Sequence, residues 1–373
     1  MAHRCCIECD GSSARPSQAR PALSASSALH ELKSVGTLSR MNYAAPWWLP
    51  GGNLQTIWAA LRAQRYAGSK PAFRRERWET PDRDFVDVDW LVSKTELRSP
   101  AKAKAMPLLV VFHGLEGSSE SHYAQALADA ARARGWACAV PHFRGCSGEI
   151  NLAPRAYHSG DFEEIDWILR RLKSQHAGPV FAVGVSLGGN ALMRWAGEMG
   201  SAANAVAAGV ASICSPLDLA ASGWAIGRGF NRQVYTRMFL RSMVPKALQK
   251  LDQHPGLFSR EALLAARDLY EFDNVVTAPL HGFKNTEDYW SRASAKPHMR
   301  SIGIPTLALN AKNDPFVPAW SLPEAKDISS SVTLWQPDEG GHVGFPSPPF
   351  PAHVRAMPEA VTGFFAHQLS SGS

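Results

Sequence analysis

The most restrictive feature of this chain is a short run, Gly184-Val185-Ser186-Leu187-Gly188, between a fully apolar stretch at 180–185 and a helical pattern at 187–199. A chain that passes from strand to helix in so few residues has no room for bulk two places before or after the serine. Both positions are therefore glycine. Such a turn holds Ser186 clear of the strand end. The first amides of the following helix lack internal partners and surround the hydroxyl with positive potential.

Around this run the pattern alternates. Apolar strands are expected at 108–112, 136–141, 180–185, 206–213, 304–309 and 332–335, and a more alternating one at 85–91. Helical patterns fall at 119–134, 159–176, 187–199 and 358–369. The second of these has acids at its start (Asp161, Glu163, Glu164) and bases near its end (Arg170, Arg171, Lys173), which suits the helix dipole. Continuous apolar strands separated by helices predict an α/β fold with a mostly parallel central sheet covered on both faces. Between about 216 and 296 the rhythm breaks into helix alone, with apolar residues interleaved with bases, so a helical cap inserted between two strands of one sheet is expected. The cap's apolar residues suit one wall of an acyl pocket. Its bases either face water or attract an acidic headgroup or a membrane surface. Residues 1–40 are rich in Ser and Ala without an apolar period, which predicts a disordered extension, with Met41 as a candidate start and the folded domain at 41–373. The aromatic run Pro46-Trp47-Trp48-Leu49-Pro50-Gly51-Gly52 reads as an ordered loop pinned by buried indoles.

Composition narrows the function classes. The chain has 373 residues, 45% hydrophobic and 19% charged, which fits a globular protein and excludes wholesale disorder. There is no apolar run of about 18 residues, so a membrane-spanning helix is not expected; peripheral membrane contact stays open. The net charge of +6 is an ordinary Lys/Arg surplus without a basic-aromatic run, so no nucleic-acid partner is expected. Six cysteines make no disulfide scaffold: three cluster at Cys5, Cys6 and Cys9, and Cys138, Cys146 and Cys214 sit in apolar or Gly-rich segments. That usage fits a reducing, cytoplasmic setting. Cys6-x-x-Cys9 has no second pair at suitable spacing, so no metal site is expected.

A serine hydroxyl needs a base to attack a carbonyl, and the base needs an orienting acid. After an elbow of this kind the acid comes first and the histidine second. Asp314 lies just past the strand at 304–309, and His342 lies in the Gly-rich loop after the strand at 332–335. Asp338 is the rival acid, but it sits on the same loop as His342, which makes opposition across the imidazole awkward. Two backbone amides are expected to form an oxyanion hole: Leu187, after the serine, and Leu115, in the loop after the first core strand. His113 reads as a structural strand-end residue. Cys146 has no paired base in its sequence context, so a thiol mechanism is rejected. Arg144 and His158 fit either structure or substrate contact. The triad supplies nucleophile and proton shuttle, so no cofactor is expected.

Several blocks together resemble a known family. They are Pro46 to Thr56, His113-Gly114-Leu115-Glu116-Gly117, Phe143 to Glu149, Tyr157-His158-Ser159-Gly160-Asp161, and the Ser186 turn. In these the chain resembles the α/β-hydrolases, and more narrowly the YheT-like group, the AB hydrolase 4 family. The resemblance covers Met41 to about Leu369. It implies an α/β-hydrolase fold, a Ser186-Asp314-His342 triad and hydrolysis of small-molecule carboxylic esters, of short- to medium-chain acyl or lipid type. Transfer of the acyl group to an alcohol is the first alternative, and a non-enzymatic binding protein on the same scaffold the second.

Overall fold

The computed structural model describes residues 43–92 and 105–371, all within one unit, Met41–Ser373. The extension expected at 1–40 lies outside the described residues. The strands are β1 (Phe73–Glu79), β2 (Phe85–Leu91), β3 (Leu108–Phe112), β4 (Ala137–Pro141), β5 (Val180–Val185), β6 (Gly209–Ile213), β7 (Thr306–Leu309) and β8 (Val332–Trp335). They form one sheet in the order β1-β2-β4-β3-β5-β6-β7-β8. β1, β2 and β4 pair antiparallel, and the remaining pairs are parallel.

Residues that alternate along a strand go to opposite faces. In β3, Leu108, Val110 and Phe112 pack with Ile165, Ile168 and Leu172 of α3 (Phe162–Gln175) and Trp195 of α4 (Leu187–Met199). Leu109 and Val111 pack on the other face, with Leu127 and Ala128 of α2 (His122–Ala133) and Val361 and Phe365 of α8 (Ala356–Ser371). Both faces being dry explains why the central strands read as unbroken apolar runs. Between β6 and β7 every regular element is helical. The longest are α5 (Leu219–Ile226), α6 (Arg237–Gln253) and α7 (Thr286–Ala293). On α6, Phe239 and Met243 face a cavity beside Ser186, while Arg237, Met238 and Arg241 are exposed.

Two elements depart from the hydrophobic pattern. The aromatic run at 46–56 is not a loop throughout: it turns at Gly51 (φ 77°) into α1 (Gly52–Leu61), which buries Gln55, Thr56 and Ala59. The glycines that signal a turn are its entry, and a polar pair on its buried face hides the helical period. β1 escapes the pattern because it is an edge strand of charged residues. It is held by cross-strand pairs, Arg75 opposite Asp89 and Arg77 opposite Asp87, each at 2.8 Å.

These pairs set an acid limit on stability. Burial pushes the Asp89 carboxyl up, but hydrogen bonds from Arg75, His142 and Ser119 outweigh it and hold the group well below its ordinary range. Asp87 is likewise lowered, burial being outweighed by Arg77 and Ser147. A depressed folded-state pKa contributes stability that is complete above the unfolded value and is lost as pH falls through the folded one. Urea denaturation should therefore show full stability above about pH 5, and a progressive loss below about pH 4, where unfolded aspartates bind protons first. A midpoint that does not move between neutral pH and about pH 3 would contradict this.

Candidate active site

Ser186 sits at the β5–α4 junction with φ 53° and ψ −118°, a strained backbone for a residue with a Cβ. The close approach that holds it there is measurable. A Cβ on Gly184 would lie 2.4 Å from the Gly188 carbonyl oxygen, and one on Gly188 would lie 2.4 Å from that of His113. Neither contact could be relieved by moving a side chain. The Ser186 amide donates to Ile213 O at 2.8 Å, fastening the turn to β6.

Asp314 and His342 come to the same rim from the loops after β7 and β8. Asp314 Oδ1 accepts from the amides of Phe316 and Val317 at 2.7 and 3.2 Å, so one oxygen is fixed by its own turn. The other, Oδ2, faces His342 Nδ1 at 2.8 Å. A carboxylate can only accept, so Nδ1 carries the proton and Nε2 is left free to accept. The Ser186 hydroxyl lies 3.0 Å from that Nε2. The Phe316 ring packs against the imidazole at 4.2 Å between centroids, which limits its tilt. Asp338 points elsewhere: it is exposed and pairs with Lys312 at 2.8 Å.

Leu115 and Leu187 both line the cavity that holds Ser186 and His342. Neither amide has a hydrogen-bond partner among the described residues. The neighbouring turn is fixed instead by Tyr123, whose hydroxyl accepts from Gly114 N at 2.9 Å, and by Tyr157, whose hydroxyl accepts from Glu116 N at 2.9 Å. The cavity wall away from these amides is largely apolar and includes Leu219, Ile226, Phe239, Met243 and Trp290 from the inserted helices.

The other residues singled out in the sequence fall into place around this centre. His113 makes only backbone bonds: Nε2 accepts from Phe143 N at 3.0 Å, which leaves Nδ1–H facing Gly114 O at 2.8 Å. Arg144 is buried and bonded to Asp82, Asp84 and Glu164, at 2.7, 2.8 and 2.5 Å, so its charge is spent within the fold. His158 packs against His281 at 4.3 Å, and burial pushes its imidazole down to about 3, so it stays neutral. Burial pushes the Cys146 thiol up to about 12, which removes the thiolate at neutral pH. Cys214, which the sequence placed only among the cysteines of apolar or Gly-rich segments, lies against the His342 loop, and Val343 N donates to its sulfur at 3.2 Å. Asn190 also escaped notice. It is fully buried on α4 and bonds Ser159 O, Ala293 O and Ala295 N, tying the serine's helix to the end of the inserted segment.

An eight-stranded, mostly parallel sheet with a strained serine at the end of β5 defines the class, and the family comparison agrees: residues 107–349 match the alpha/beta hydrolase fold family. The chain belongs to that family. It is 42% identical over 72% of its length, and 78% of the relative's, to a protein named "Putative esterase YheT" from Escherichia coli strain K12. It is 27% identical to the mouse phospholipase ABHD3, over 82% of this chain and 74% of that one. Among solved structures, Est1E from Butyrivibrio proteoclasticus with bound ferulic acid superposes with a TM-score of 0.51 at 15% identity, covering 79% of this chain and 99% of the other, a likeness of fold.

The strain at Ser186 gives a direct test. Ser186→Gly should be more stable than Ser186→Ala by about 1 kcal/mol, because glycine adopts this backbone without the Cβ penalty. Equal denaturation midpoints for the two variants would contradict a strained turn.

Proposed function

We propose that this protein is a serine hydrolase of small-molecule carboxylic esters that works through an acyl-enzyme on Ser186. The observation that carries the reading is the unbroken sequence of contacts from Asp314 to His342 to the Ser186 hydroxyl, at 2.8 and 3.0 Å, opening into a largely apolar cavity.

In the proposed reaction His342 Nε2 takes the hydroxyl proton as Ser186 Oγ bonds to the ester carbonyl carbon. Asp314 stabilises the imidazolium that forms and holds it in line. The amides of Leu115 and Leu187 receive the oxyanion; one such donor typically contributes about 10²–10³ in rate. The imidazolium then gives its proton to the leaving alcohol, and the acyl group stays on Ser186. Water enters, His342 takes its proton, and the acid is released with Ser186 restored. The Asp314 turn is already made by two backbone amides, so little reorganisation accompanies the charge that forms on the imidazole.

The substrate side follows from the lining. Leu219, Ile226, Phe239, Met243 and Trp290 offer an acyl chain a dry wall, which suits short- to medium-chain or lipid-type acyl groups. No helix among the described residues is long and apolar enough to cross a membrane. The names of the esterase and phospholipase relatives are consistent with ester chemistry.

Two measurements test the reading. A fluorophosphonate probe should add one covalent label to the wild-type protein and none to Ser186→Ala; labelling that persists in the variant rules Ser186 out as the nucleophile. Across a series of p-nitrophenyl esters, kcat/KM should rise from acetate to medium chains, and a maximum at acetate would remove the acyl pocket from the proposal.

A further inference from the structure

The aromatic run at 46–56 takes no part in the chemistry above, and it lies outside the stretch matched by the hydrolase family, 107–349. Yet it reaches both loops that carry the proposed acid and base. Gln55, on α1, is completely buried. Its Oε1 accepts from Asn313 Nδ2 at 2.9 Å and from the Gly340 amide at 2.8 Å. Asn313 Oδ1 in turn accepts from the Gly341 amide at 2.9 Å. Thr56, the next residue on the helix, accepts the His342 amide at 2.8 Å through Oγ1, whose own proton goes to Gly52 O at 2.6 Å. Three consecutive amides leading to the imidazole are thus held by groups on α1, or by the asparagine that α1 holds. Asn313 is the residue before Asp314, so one circuit fixes the approach to the acid and to the base.

The base loop needs such a restraint. Gly340 and Gly341 have positive φ (148° and 62°), and so have Val343 (57°) and Phe345 (43°), which is costly for a β-branched or aromatic side chain. A loop in that conformation persists only where its surroundings over-determine it. α1 also lies too close to be padded: a Cβ on Gly52 would meet Asn313 O at 1.8 Å, and one on Gly341 would meet Gly52 O at 2.6 Å. Packing alone does not call for glutamine and threonine on a buried helix face. Polar groups there are explained by what they bond.

We propose that Gln55 and Thr56 are positioning residues: they set the acid loop and the base loop in register, so that His342 meets both Asp314 and Ser186. This rests on the reading of Ser186 and His342 given above. A misplacement of about 1 Å at a reacting group can cost as much as 10²-fold in rate. Gln55→Leu and Thr56→Val should therefore fold, keep KM within about 2-fold and lose roughly 10- to 100-fold in kcat on the best ester. Thr56→Ser keeps the acceptor for the His342 amide and should restore kcat. Trp58→Phe removes a bond from the same helix to Pro351 O, at 2.6 Å and away from both loops, and should leave kcat unchanged.

A second readout does not need turnover. The His342 Nδ1 proton, held by Asp314, should give a far-downfield proton NMR signal, assigned by its loss in His342→Ala. That signal should broaden or vanish in Gln55→Leu and Thr56→Val and survive in Thr56→Ser. Folded Gln55→Leu and Thr56→Val proteins with wild-type kcat and signal would overturn the proposal. So would a kcat loss that Thr56→Ser fails to rescue, or one that Trp58→Phe shares. Turnover that persists in Ser186→Ala would instead sink the hydrolase reading, while the NMR comparison would still decide whether α1 holds the base loop in place.

Discussion

Parallel pairing from β3 through β8 is the constraint on which the rest of the structure depends. It points the carboxyl ends of β5, β7 and β8 to one edge of the sheet, so that loops far apart in the chain open onto the same rim. Ser186, Asp314 and His342 need no long excursions to meet there. Ser186 directly follows β5, and Asp314 and His342 lie in the loops that leave β7 and β8 at the same edge. Because both faces of the sheet are packed with apolar side chains, polar chemistry on the central strands is confined to their ends, and these three loops leave the carboxyl end.

The inserted helices add a wall of different character. Their inner side turns Phe239 and Met243 towards the cavity, and their outer side exposes Arg237 and Arg241 to solvent. The mixed apolar and basic composition of this segment is thus sorted by face. Asn190 marks the seam, since a fully buried amide on the serine's own helix bonds the chain where the insertion returns to the sheet. The strained serine turn is hemmed in by close backbone contacts, and the strained loop that carries His342 is held by side-chain acceptors from Gln55, Asn313 and Thr56. This is how local strain persists in a folded chain.

Much of this arrangement was legible in the chain. β2, β3, β5 and β8, and helix α4, fall where the pattern puts them: β3 and β5 because a strand buried on both faces is apolar throughout, β2 by its alternation and α4 by its helical spacing. The glycines at 184 and 188 were legible for a similar reason, since a backbone contact of 2.4 Å tolerates nothing larger. β1 was not, because a charged edge strand obeys its partner's charges and not a hydrophobic period. α1 was not, because its buried face carries Gln55 and Thr56, which read as loop residues until their partners at 313 and 340–342 are known.

The sequence by itself determined the parallel core of the sheet, the strand-to-helix turn at Ser186, and the order in which an aspartate and a histidine follow it. These are local matters of side-chain size, periodicity and backbone freedom, and they are written within a few residues of each position. Only the tertiary structure decided that Asp338 pairs with Lys312, that Arg144 is consumed by three carboxylates, and that α1 grips the loops at 313 and 340–342. Those outcomes depend on which groups meet across separations from 20 residues (Arg144 and Glu164) to 286 (Thr56 and His342), and a hydrogen bond between such groups leaves no periodic trace in either segment.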